Sequence, residues 1–166
     1  MLKVAFNTLN NKCPLFKLEK YNITCFLDTG ANIPVWNGST DYFVNKFKDC
    51  NPTKTIYHTS IGGFGIGEVE MPVYKLSNFE LTDGKQKLVF RELYVAVEEN
   101  RNRNFDLLIT YSMFKGIGIV IKPNKANREI SFATQQKSIF NTRLIADGNK
   151  LKYVESFLQE ISTNIL

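Results

Sequence analysis

Cys25-Phe26-Leu27-Asp28-Thr29-Gly30-Ala31 places an acid at the end of an apolar run and a turn of small residues directly behind it. The run Ile23 to Leu27 reads as a strand, and Asp28 is where it stops. A carboxylate on a rigid turn, with a hydroxyl beside it and a glycine after it, has the parts needed to activate water for attack on an amide. Two such carboxylates sharing one proton divide the work: one is base and the other acid, because like charges about 3 Å apart do not both ionise. Gly30 permits close backbone approach, and the Thr29 hydroxyl can lock two loops together. The triplet Asp-Thr-Gly occurs once in 166 residues, so the chain carries half of such a pair. Taken alone, the triplet is also an ordinary turn.

Outward from this turn the chain reads as short strands broken by turn signals. Val4 to Phe6 and Leu15 to Leu18 precede it. Ile33-Pro34-Val35-Trp36 resumes extended structure, and Ser39 caps a short helix carrying Tyr42, Phe43 and Phe47. Thr53 to Ser60 and Val69 to Leu76 flank Ile61-Gly62-Gly63-Phe64-Gly65-Ile66-Gly67, which is too rich in glycine for a strand interior and reads as a hairpin tip. Phe79 to Leu81 and Leu88 to Val97 meet at Asp83-Gly84. Phe105 to Ile109 reads as a buried strand, Tyr111 to Lys115 as one helical turn, and Ile117 to Ile121 and Glu129 to Phe132 as the last strands. Residues 134–138 are polar and linker-like. From Leu151, apolar residues recur at Val154, Leu158, Ile161 and Ile165, the spacing of an amphipathic helix that packs on its own domain or on another subunit.

Bulk composition narrows the function. The hydrophobic fraction of 43% supports a sizeable core, and 22% charged residues argue against global disorder. The net charge of +5 comes from dispersed basic residues, with Arg101 and Arg103 the tightest arginine pair, which disfavours nucleic acid as a partner. No segment approaches the ~18–20 apolar residues of a membrane span. A native start at Met1 would leave the protein in the cytoplasm, because no signal-peptide core follows. Cys13, Cys25 and Cys50 form an odd set without metal-ligand spacing and read as free thiols; no metal or cofactor is expected. His58, the one histidine, reads as a surface residue without a nucleophile motif nearby.

The segment Phe26-Leu27-Asp28-Thr29-Gly30-Ala31, followed by Ile33 and Val35, resembles the aspartic proteases, in particular the single-domain retropepsin-like group. The glycine-rich Ile61 to Gly67 lies where that group carries its flap hairpin, and Asp106-Leu107-Leu108-Ile109 where an apolar strand threads behind the catalytic loop. The resemblance covers residues 1–133, leaving 134–166 as a linker and C-terminal helix. It implies an all-β fold: a closed, retropepsin-like β-barrel with a flap hairpin and short helices. It also implies roles: Asp28 as catalytic carboxylate, Thr29 as interlocking hydroxyl, Gly30 as the loop-shaping residue. Ala31 and the flap residues Gly62, Gly63, Phe64 and Gly65 would meet substrate. Thr110 departs from the pattern, since the family usually ends this strand in glycine.

Asp41, Asp49, Asp83 and Asp147 lack the apolar lead-in and the Thr-Gly that follows Asp28, and Asp106 reads as a structural acid. A two-lobed, pepsin-like enzyme is therefore excluded. Two-fold symmetry would supply the second Asp28 from an identical chain. The expected activity is that of a homodimeric aspartic endopeptidase acting on peptide or protein substrates. Hydrophobic specificity is inferred from Ile33, Val35 and Phe64. The alternatives are a retropepsin-like peptide-binding or dimerisation module with little turnover, and an unrelated β-barrel that stacks nucleic-acid bases on its aromatics.

Overall fold

Strict alternation along Ile23-Thr24-Cys25-Phe26-Leu27-Asp28 buries Ile23, Cys25 and Leu27 and leaves the residues between them half-buried, the signature of a strand with one face on the core. The computed structural model describes residues 1–9, 14–28, 30, 32–62, 68–99, 103–147 and 150–155. In chain order the elements are β1 (Leu2–Asn7), β2 (Leu15–Leu18), β3 (Ile23–Asp28), β4 (Val35–Asn37), α1 (Thr40–Lys46), β5 (Thr53–Gly62), β6 (Glu68–Thr82) and β7 (Lys87–Glu98). They continue as β8 (Leu107–Thr110), α2 (Tyr111–Gly116), β9 (Val120–Asn124), β10 (Glu129–Thr134), β11 (Ile139–Phe140), β12 (Thr142–Asp147) and β13 (Lys150–Glu155). Among the described residues the fold is mostly β, with two short α-helices. Among the described residues, no helix is long and apolar enough to cross a membrane.

The central sheet runs β2-β3-β8-β4-β7-β6-β5, with β11 added alongside β7. A second sheet runs β1-β10-β9, and β12 pairs with β13. Among the described residues, an isolated antiparallel bridge, Thr8 to Phe16, links the edges of the two larger sheets. Among the described strands the order is open, with β2 and β5 at its ends, so the expected closed barrel is not found.

One core joins the sheets. Trp36 is fully buried among Phe43 and Phe47, and its indole N–H donates to the Ser39 carbonyl at 3.3 Å. It is a core residue. Ser39 caps α1 as expected, its hydroxyl accepting the Tyr42 N–H at 3.1 Å. Phe6, Phe16 and Phe132 bring β1, β2 and β10 together, and Phe114 links α2 to β10 and β7 through Phe132 and Phe90.

The C-terminal segment corrects an expectation. Residues 150–155 form a strand, antiparallel to β12 from Thr142↔Glu155 to Asp147↔Lys150; residues 156–166 lie outside the described region. Leu151-Lys152-Tyr153 fits a period of two as well as the helical spacing, with Leu151 and Tyr153 buried and Lys152 exposed. In the sequence, the two residues between the paired Asp147 and Lys150 are Gly148-Asn149, a hairpin signal. Leu144, Leu151 and Tyr153 join the main core, as does Phe140 of β11. The stretch before β11 is tied down too, since Ser138 accepts the Val89 N–H at 2.7 Å.

This hairpin completes β7. One edge of β7 pairs with β6; the other pairs with β11 at Val89 and Phe90 and with β4 from Ala96 onward. In the gap, the Tyr153 hydroxyl accepts the Tyr94 N–H and donates to the Tyr94 carbonyl at 2.6 Å. The Thr142 hydroxyl donates to the Glu92 carbonyl. Two side chains thus do the hydrogen bonding that a neighbouring strand would do.

Candidate active site

Asp28 is the last residue of β3, on the half-buried face it shares with Thr24 and Phe26. Its loop runs from β3 toward β4, yet these two strands are not neighbours. β8 lies between them, parallel to β3 from Cys25↔Leu107 to Asp28↔Thr110 and antiparallel to β4 through Val35↔Leu108 and Trp36↔Leu107. That is the place expected for Asp106 to Ile109. The turn carrying Asp28 therefore stands over a central strand that arrives from much later in the chain. At the opposite end of β8, the Asp106 N–H donates to the Thr24 carbonyl at 2.9 Å, and the Asn37 N–H to the Asp106 carbonyl at 2.8 Å.

Gly30 lies beside the carboxylate. A Cβ built there would stand 3.7 Å from Asp28 Oδ2, ordinary contact, so space within one chain does not by itself demand glycine. Thr29, Ala31, Gly63, Phe64 and Gly65 lie outside the described residues. The stem of the hairpin expected to be a flap is present: β5 and β6 pair from His58↔Pro72 to Gly62↔Glu68, with Gly62 the last residue of β5. Ile33 and Val35 are buried in the core, so the single chain does not offer them to substrate.

The other acids have other work. Asp106 stands at the far end of β8, and its Oδ2 accepts the Thr24 N–H at 2.9 Å. Thr24 precedes Asp28 by four strand positions, roughly 13 Å at strand rise. Asp83 holds the β6–β7 turn: Oδ1 accepts from Lys85 N–H and Gln86 N–H, both at 2.8 Å, and Oδ2 from Ala5 N–H of β1 at 3.0 Å. Asp41 and Asp49 sit in the first turns of α1 and of the short 3-10 turn Lys48–Cys50. Among the described residues, no three His, Cys, Asp or Glu side chains gather as metal ligands would.

Burial pushes the Asp83 pKa up, but hydrogen bonds from Gln86, Ala5 and Lys85 outweigh it and hold the carboxyl below its ordinary value. A depressed folded-state pKa adds stability above the unfolded value of about 3.9, and that stability is lost as pH falls through the folded value. Asp83→Ala is expected to cost about 1.5–3 kcal/mol near neutral pH. Urea unfolding should show the gap closing below about pH 4. An equal gap at both pH values would mean that the carboxylate is not what holds the turn.

The remaining candidate groups are ordinary. His58 is exposed, its Nδ1 3.9 Å from Glu70 Oε1. Cys25 and Cys50 are free and buried, and burial above all raises both thiol pKa values, which leaves them poor nucleophiles; Cys13 lies outside the described residues. No protein-family model matches the chain, and no curated protein matches it in sequence.

Proposed function

We propose that the chain is one half of a homodimeric, retropepsin-like aspartic endopeptidase, with Asp28 of each subunit meeting at a two-fold axis. The observation that carries this reading is the Asp28 turn at the end of β3 with β8 threaded between β3 and β4. The engagement of Asp83 and Asp106 in backbone hydrogen bonds supports it, since neither is left to act as an intrachain partner.

In this reading one water sits between the two Asp28 carboxyls, which share one proton. The ionised carboxylate takes a proton from the water as its oxygen attacks the scissile carbonyl carbon. The protonated carboxyl gives its proton to the carbonyl oxygen, forming a neutral tetrahedral diol. Collapse of the diol breaks the C–N bond: the proton taken from water passes to the leaving amine, and one diol hydroxyl returns its proton to the other carboxylate, which restores the shared proton. The singly protonated pair is the working state, so activity is favoured in mild acid. The β5–β6 hairpin would close over an extended peptide, the class of substrate that this geometry suits.

A peptide carrying a tetrahedral secondary alcohol in place of the scissile amide tests the reading and separates it from a non-catalytic peptide-binding module. An enzyme is expected to bind the alcohol at least about a hundredfold more tightly than the matching amide peptide. Equal affinities by calorimetry would mean that the cleft binds peptides without stabilising the transition state.

A further inference from the structure

β3 and β8 run parallel with Asp28 opposite Thr110. Partners across such a ladder project to the same face, with their strands about 4.8 Å apart. Phe26 and Leu108, one pair earlier on that face, are both half-buried, as is Asp28, whereas Thr110 is completely buried. Thr110 is also where β8 becomes α2. Its backbone is extended, and its hydroxyl accepts the Met113 N–H at 3.2 Å, closing the first turn of the helix. Met113 and Phe114 are themselves buried. One side chain therefore stands beside Asp28 and ties that ladder to a helix anchored in the core.

Resting on the reading of Asp28 as the catalytic carboxylate, we propose that Thr110 is a positioning residue for it. The Thr110 side chain fills the space beside the Asp28 side chain, and its capping hydroxyl fixes the β8–α2 corner on which the Asp28 turn rests. The two contributions can be separated. Thr110→Ser keeps the cap, Thr110→Val keeps the volume and loses the cap, and Thr110→Gly loses both.

The variants are compared in two backgrounds, each with a melting curve. In the otherwise natural protein, Thr110→Gly should lower kcat for a cleaved peptide by about a hundredfold, the scale of a catalytic group displaced by about 1 Å. KM should change little, because binding of the remote peptide is untouched, and Thr110→Ser should recover most of the loss. In the Asp28→Asn background, the introduced side-chain amide is followed by NMR. Its chemical shifts and exchange rate should move in Thr110→Gly and return in Thr110→Ser. Unchanged amide signals, or an unchanged kcat in a folded Thr110→Gly, would overturn the proposal. If the glycine variant does not fold, Thr110→Val decides the question by the same amide signals. Should the natural protein cleave nothing, the protease reading fails, while the amide signals still decide whether Thr110 positions residue 28.

Discussion

Asp28→Asn is expected to reduce peptide cleavage by about 10⁴-fold, the upper range for loss of a general acid–base group, while leaving the fold intact. The substitution keeps the size of the side chain and its ability to accept from backbone N–H groups. What it removes is the capacity to take a proton from water and pass one on. Mixing natural and variant chains makes a stricter test. If each site needs both carboxylates, an equimolar mixture with free exchange has only about a quarter of its dimers fully natural and keeps about that share of activity. Independent monomers would keep half. Half activity in the exchanged mixture would therefore refute the shared site even if Asp28 were essential.

The second large effect belongs to Tyr153. Tyr153→Phe deletes one oxygen and leaves both the N–H and the carbonyl of buried Tyr94 without the partner they have now. Each unpaired buried group costs about 1–3 kcal/mol, so a loss of about 2–6 kcal/mol is expected from urea unfolding. The hydroxyl also has a pH signature. Burial, above all else, lifts the Tyr153 pKa well above its ordinary value. A raised folded-state value means that its contribution is complete below the unfolded value of about 10 and is lost as pH rises toward the folded one. The gap between natural protein and variant should therefore narrow above about pH 10. A gap below about 0.5 kcal/mol at neutral pH would show that water or another group completes the edge of β7.

Much of this architecture was legible in the chain because it is written in local signals. The alternation of β3, the Ser39 cap of α1 and the Asp83-Gly84 turn are short-range features that tertiary contacts then reinforce. Of the strand order, the β5–β6 and β6–β7 hairpins were legible from their turn residues, whereas the run beside β3 was expected only through the family resemblance. The C-terminal hairpin was misread because Leu151, Val154 and Leu158 satisfy a helical period, while Gly148-Asn149 carries the opposing signal two residues wide. Tyr153 and Thr142 had no sequence signature at all. Their role depends on a gap in the hydrogen bonding of β7 that exists only once β4 and β11 have taken their places. Thr110 stood out as a departure from a family pattern, but its capping of α2 needed the coordinates. The candidate site was read from one turn; that turn's support comes from residues distant in sequence.

Threading β8 between β3 and β4 has a consequence for biosynthesis. On a ribosome the Asp28 segment emerges long before Thr110, and at about 5–20 residues per second it waits several seconds for its central strand. Until then β3 and β4 have an unfilled slot between them, and the turn lacks its base. A nascent or truncated chain ending before β8 would thus hold the acid without the platform that aims it. In the reading proposed above, the cutting edge therefore forms only once β8 has been made and has taken its place between β3 and β4.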